Sequence, residues 1–158
     1  MSVAFTKEGD AEAVAADLPD RPISTHPNLV TTSGLAQLDA ELATARTAYD
    51  AAQAGGGISA DRTAMARATR DLRYWGSRRA SAQLIEAADC DQVRFGCTVT
   101  FERADGTFAT YRITGEDEAD PAAGRIAYIA PAARALLGKS VGDTAVIAGG
   151  EIEIVSIG

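Results

Sequence analysis

Three consecutive glycines, Gly55, Gly56 and Gly57, interrupt a stretch whose apolar residues otherwise recur at helical spacing. Before them, Leu35, Leu38, Leu42, Ala45, Tyr49 and Ala52 follow one another at intervals of three and four, which places them on one seam. After them, Met65, Ala68, Leu72, Trp75 and Ala82 form a second seam that Arg79 interrupts. Glycine weakens a helix and accepts positive φ, so the triplet reads as a reversal of direction. Two seams joined by such a reversal predict an antiparallel coiled-coil hairpin over residues 32–88, turning near 55–58, with Ser33 as its N-cap. A glycine run also suits a phosphate cradle, but here no strand precedes it and no Walker-type lysine follows.

After Asp91 the period changes from helical to two. Val93, Phe95, Cys97, Val99 and Phe101 alternate with polar or small residues, and Asp105-Gly106 marks a tight turn into a strand over 107–114. A strand over 125–129, a helix over 131–137 and strands over 144–147 and 151–157 around Gly149-Gly150 complete the pattern. The fold class is therefore α+β: a helical hairpin, then at 89–158 a twisted antiparallel sheet with one short helix against it. Residues 1–31 hold three of the five prolines, Pro19, Pro22 and Pro27, and no sustained period, which predicts an extended or mobile segment.

No apolar run approaches the roughly 20 residues a bilayer span needs, and the N-terminus lacks the order of a signal peptide, so a cytoplasmic protein is expected. Cys90 and Cys97 lie outside any CxxC pattern and His26 stands alone, so reduced thiols and no zinc site are expected. The net charge of -7 is unevenly spread. Residues 61–80 carry six arginines (Arg62, Arg67, Arg70, Arg73, Arg78 and Arg79) against Asp61 and Asp71, whereas 86–120 carry nine acids against three arginines. The arginine run is either a solvated helix face or a surface for nucleic acid or an acidic protein. Tyr74 and Trp75 beside it either pack in the seam or offer stacking surfaces. The acidic group Glu116, Asp117, Glu118 and Asp120 lacks EF-hand spacing and reads as a loop. No Ser/His/Asp or Cys/His constellation is present.

The order of acidic loop, short strand, Pro-led helix and Gly-Asp turn in GEDEADPAAGRIAYIAPAARALLGKSVGD, residues 115–143, resembles the C-terminal domain of the GreA and GreB transcript cleavage factors. LDAEL at 38–42 and SAQLIE at 81–86 resemble the family's anchor segments on the two hairpin arms, and the run from Asp71 leans towards GreB. The resemblance implies an FKBP-like C-terminal domain that docks on core RNA polymerase at the rim of its secondary channel. It also implies a hairpin directed into that channel, near the nucleic acid of the elongation complex. It carries the polymerase-binding role onto Ile129, Ala130 and Pro131, and implies neither a cofactor, a membrane nor a small-molecule substrate.

Two departures shape the functional expectation. The tip aligns as Gly57, Ile58, Ser59, Ala60 and Asp61, so the family's tip acids fall on Gly57 and Ala60. Those acids help hold a catalytic magnesium in the polymerase, which needs carboxylate oxygen. Each arm is also short by roughly two turns, which at about 1.5 Å per residue withdraws the tip by about 10 Å, as in the short-armed relative Rnk. The expectation is a polymerase-binding elongation regulator that is no enzyme, has no catalytic or metal residues of its own, and acts by occupancy. Two alternatives stay open: a cleavage-stimulating factor that uses Asp61 or Asp50, and a module for a partner other than polymerase.

Overall fold

The computed structural model describes residues 18–55, 59–87 and 89–158; the first 17 residues of the expected extended segment lie outside them. The described chain forms two compact units, one of residues 38–81 with the segment up to His26, the other of Pro27–Gln37 with Ala82–Gly158. The chain at 27–31 belongs to the second unit, with Asn28, Val30 and Thr31 all buried.

The first unit is built on helices α1 (Thr32–Ala54) and α2 (Ser59–Ser81), each about 35 Å long at 1.5 Å per residue. The predicted seam on α1 is the inward one, since Leu38, Leu42 and Ala45 are buried and Tyr49 and Ala52 are partly covered. On α2, Ala68 is buried and Met65, Leu72 and Trp75 are partly covered. The seam then continues through Arg78, which is 2% exposed, and not to Ala82, which lies beyond the helix end. The guanidinium is withdrawn from solvent together with its aliphatic stem. Arg79 turns outward, and its Nε donates to Asp39 Oδ1 on α1 at 2.5 Å, tying the two arms together at the end away from the turn.

The second unit opens with β1 (Leu29–Val30), which pairs in parallel with β2 (Gln83–Leu84). Its main sheet contains β3 (Thr98–Arg103), β4 (Phe108–Thr114), β5 (Arg125–Ala127), β6 (Thr144–Ile147) and β7 (Gly150–Ile157), in the order β5-β4-β3-β7-β6. The expected antiparallel pairing holds for β3 with β4, β3 with β7 and β6 with β7. β5 instead runs parallel to β4, because the chain crosses over through a 3-10 turn at Pro121–Ala123 before returning. Helix α3 (Pro131–Leu136) lays Ala133 and Leu136, both fully buried, against a core of Val93, Phe95, Val99, Phe101, Ile113, Ile126, Ile152 and Ile154. Tyr128 extends this core, edge-on to Phe95, while its hydroxyl donates to the Pro27 carbonyl at 2.6 Å.

Alternation correctly named the buried residues from Val93 to Phe101, yet the strand begins only at Thr98. Gly96 adopts φ +86, and the Cys97 N–H closes a turn onto the Arg94 carbonyl, so the first part of the pattern is an irregular chain with alternate residues turned inward. Two-residue periodicity reports burial and does not by itself require ladder hydrogen bonds.

The two cysteines are joined in a disulfide, Cys90–Cys97, in place of the reduced thiols expected. The bend at Gly96 brings their Cα atoms to 6.0 Å, within the range a disulfide spans, although their spacing of seven forms no recognised pair motif. Closing so short a loop restricts the unfolded chain by about 2.5 kcal/mol. A reductant should accordingly lower the denaturant midpoint of the wild-type chain and leave that of a Cys90→Ala/Cys97→Ala variant unchanged. Equal midpoints for the oxidised and reduced wild-type protein would deny the bond a stabilising role.

Candidate docking site

One face of the main sheet carries an apolar hollow with a volume of about 740 Å³. Phe101 on β3, Tyr111 on β4, Ile126 on β5 and Ile152 on β7 form its walls, because alternation directs these positions to the face that α3 only partly covers. The Phe101 and Tyr111 rings stack across the strand pair at 6.0 Å. Ala130, Pro131 and Ala132 border the hollow on the helix side, and Val146, Ile147 and Ala148 border it on the other. Val146 is 65% exposed, a large apolar side chain left in solvent at the edge of an apolar hollow.

Local chemistry holds both borders in place. Pro131 takes the first helical position, where the missing N–H would have no helical partner and the fixed φ matches the helix. On the opposite side, β6 and β7 are joined by a two-residue turn, Ala148-Gly149, with φ values of +51 and +78. Positive φ at both central residues is the hairpin turn whose twist matches the strands. Ala148 is the only non-glycine residue with positive φ among those described, a local strain placed at the mouth of the hollow.

The rim is polar and of mixed sign, with Arg103, Asp105 and Glu151. Asp105 starts the β3–β4 turn predicted from Asp105-Gly106: its Oδ1 accepts from the Thr107 hydroxyl at 2.6 Å and from the Thr107 amide at 2.9 Å. The hydroxyl bond first, then the amide bond, hold this carboxyl below the ordinary aspartate range, with Arg103 adding a smaller effect of the same sign. Asp105 thus remains an anion at the rim through the whole neutral and mildly acidic range.

Of the three docking residues expected from the sequence, Ala130 and Pro131 line the hollow, and Pro131 is exposed. Ile129 is partly buried and is not among the lining residues. Ala130 is the N-cap of α3 and provides no side-chain capping bond. Phe101, Tyr111 and Ile152 were legible only as core positions, because whether an inward residue lines a hollow or a filled core depends on how far α3 extends.

At the other end of the chain, the tip residues Gly57 and Ile58 lie outside the described residues, and Ser59, Ala60 and Asp61 form the first turn of α2. Asp50 lies exposed on α1. The acidic loop proves to be a structural anchor. Glu118 is buried and accepts from the Thr31 hydroxyl at Oε2 and from the Ser33 hydroxyl at Oε1, each at 2.6 Å. Thr31, not Ser33, caps α1: its Oγ1 accepts the Gly34 N–H at 3.0 Å, and the Glu118 anion sits beside the positive end of the helix. Gly34 and Gly115 leave the room this needs, since a Cβ at Gly34 would lie 2.7 Å from Glu118 Oε2 and one at Gly115 would collide with the Leu29 carbonyl. Among the described residues no group of three or more His, Cys, Asp or Glu side chains is placed to hold a metal ion.

Proteins of known family are similar to this chain. The family model for the C-terminal domain of transcription elongation factor GreA/GreB matches residues 88–158, the stretch that builds the sheet, α3 and the hollow. A transcription elongation factor GreA from Verminephrobacter eiseniae is 33% identical over 148 residues, covering 91% of this chain and 87% of that protein. The chain belongs to the GreA/GreB family of transcription elongation factors. GreA of Anaeromyxobacter sp. (strain K) is 49% identical over 79 residues, and GreA of Desulfovibrio desulfuricans is 42% identical over 98. The chain spans about half the length of these two relatives, 48% and 55% respectively. The crystal structure of GreA factor homolog 1 of Thermus thermophilus aligns with 84% of this chain and 99% of its own at 19% identity, with a TM-score of 0.41. Among the described residues of this Gre-family chain, no helix is long and apolar enough to cross a membrane.

Proposed function

We propose that this Gre-family protein docks on core RNA polymerase, at the rim of the secondary channel, through the hollow bordered by Pro131 and Val146. There it regulates elongation by occupancy, without stimulating RNA cleavage. The observation that carries the reading is the pairing of a preformed apolar hollow in the family-matched domain with a hairpin that has glycine and alanine at 57 and 60. An apolar hollow edged by a few charges suits one or two anchoring side chains of a helical partner, with the rim setting orientation. A magnesium ion in the polymerase active site would find no carboxylate at either tip position, and metal-ligand bonds tolerate only tenths of an ångström. Elongation-complex nucleic acid is approached indirectly, the protein works in the cytoplasm, and no catalytic group of its own takes part.

Competition on core polymerase with a labelled, cleavage-active Gre factor tests this reading. Displacement without transcript shortening is the expected result. Polymerase binding without displacement would move the docking site elsewhere, and absence of binding would favour a different protein partner. Magnesium-dependent shortening of a backtracked transcript, abolished by Asp61→Ala or Asp50→Ala, would overturn the occupancy mechanism in favour of cleavage.

A further inference from the structure

The chain that leads from β2 into the main sheet is fastened unevenly. At one end the Ile85 N–H donates to the Val30 carbonyl at 2.9 Å, continuing the β1–β2 pairing. At the other, the Val93 N–H donates to the Lys139 carbonyl and the Gly138 N–H to that of Val93, each at 2.8 Å, and the Gly96 N–H reaches the Ile113 carbonyl at the same distance. Among the described residues of the link between these points, none makes a backbone-to-backbone hydrogen bond. Glu86, Ala87, Asp89, Asp91 and Gln92 are exposed, and Cys90 is half-buried. The Cys90–Cys97 bond therefore pins the link to the sheet. With it closed, Ala87 lies over Gly96, where an added Cβ would stand 3.2 Å from that of Ala87.

The two sulfurs are not equally open. Cys97 is 1% exposed, whereas Cys90 belongs to the exposed link. Attack on a disulfide sulfur depends on access, so a thiolate is admitted at Cys90 and excluded at Cys97. The bond can also open without unfolding the sheet: Val93, Phe95 and Val99 stay in the core, and the hydrogen bonds of Val93 and Gly96 do not run through it. Disulfides found in cytosolic proteins are usually transient, catalytic or redox-sensing, because the thiol pool there reduces the rest. That last step rests on the cytoplasmic setting of the proposed function.

We infer that Cys90–Cys97 is a thiol-exchange site, opened at Cys90 by a small monothiol, and that its opening frees residues 86, 87 and 89–92 to move. The thiolate attacks Cys90 Sγ, the S–S bond breaks, and its electron pair leaves on Cys97 Sγ, which takes a proton. A second thiolate attacks the small thiol's sulfur in the mixed disulfide, giving the oxidised small thiol and a Cys90 thiolate that is protonated in turn. Oxidation runs the two exchanges backwards, with the small-molecule disulfide as electron acceptor. The freed segment carries Glu86, Asp89 and Asp91, so the exchange alters how three exposed carboxylates are presented. Ordering and release of a segment is a recurrent means of switching a surface.

Reduced glutathione, added to the oxidised full-length chain labelled with nitrogen-15, tests the inference, with circular dichroism followed in parallel. The bond is expected to open at unchanged dichroism. Backbone order parameters at Asp89, Asp91 and Gln92 should fall from about 0.85 to below about 0.6, while those at Val99 and Ile113 hold. Alkylation part-way through the reaction should find glutathione on Cys90 at least about tenfold more often than on Cys97. Oxidised glutathione should restore the order, and a Cys90→Ser/Cys97→Ser variant should show the low values at every ratio of the two forms. A bond that opens only in denaturant, or order parameters that ignore its opening, would overturn the proposal. Glutathione found equally on both cysteines would overturn the assignment of Cys90 as the point of attack. No polymerase is present, so the outcome is separate from that of the docking reading.

Discussion

A loss of at least about a hundredfold in affinity for core RNA polymerase is the expected result of the Pro131→Asp/Val146→Lys variant. Both side chains are exposed and stand on opposite borders of the hollow, so neither contributes to the buried core. Aspartate is well tolerated in the first turn of a helix, and lysine is an ordinary residue on an edge strand such as β6, so the fold should persist. Placing two charges where a partner's apolar anchors must be desolvated removes central contacts and adds unpaired charge, each worth about 2 kcal/mol or more. A matched control is Phe108→Ser. Phe108 is 61% exposed at the start of β4 and does not line the hollow. Equilibrium binding of labelled polymerase to the three proteins decides the matter. If Phe108→Ser weakens binding and the double variant does not, docking uses a surface other than the hollow.

The second large effect concerns stability. Replacing Glu118 with alanine should lower the unfolding free energy by about 3 kcal/mol, read from the denaturant midpoint. The change removes two short, charge-assisted hydrogen bonds and leaves the buried Thr31 hydroxyl without its acceptor. It also withdraws an anion from the N-terminus of α1. Glu118→Gln keeps the shape and one acceptor oxygen, and should cost about 1 kcal/mol. Similar losses for the two variants would mean that packing of the side chain, and not its charge and hydrogen bonds, anchors the loop.

Much of the architecture could be read along the chain because it is written in short repeats. The seam from Leu35 to Ala52, the Asp105-Gly106 turn and the Pro131 helix start each depend on neighbours within a few residues. Propensity and periodicity report such neighbours directly. The family resemblance singled out Ala130 and Pro131, which line the hollow, but not Phe101, Tyr111 or Ile152, whose alternation is that of any half-buried strand.

Which residues turn inward, and where β3 gives way to β4, follow from local sterics and the pitch of helix and strand. Tertiary structure alone decided that Thr31 rather than Ser33 caps α1, since the cap is completed by a carboxylate 87 residues away. It decided that Arg78 and not Ala82 continues the seam, that Cys90 meets Cys97 across the bend at Gly96, and that β5 lies parallel to β4. It also decided that Asp20 and Arg21, unremarkable in a proline-rich stretch, rest on the arginines and rings of α2. Each of these depends on a distance between groups far apart in the chain, or on the path of the backbone around a bend, and neither quantity exists until the apolar faces have packed.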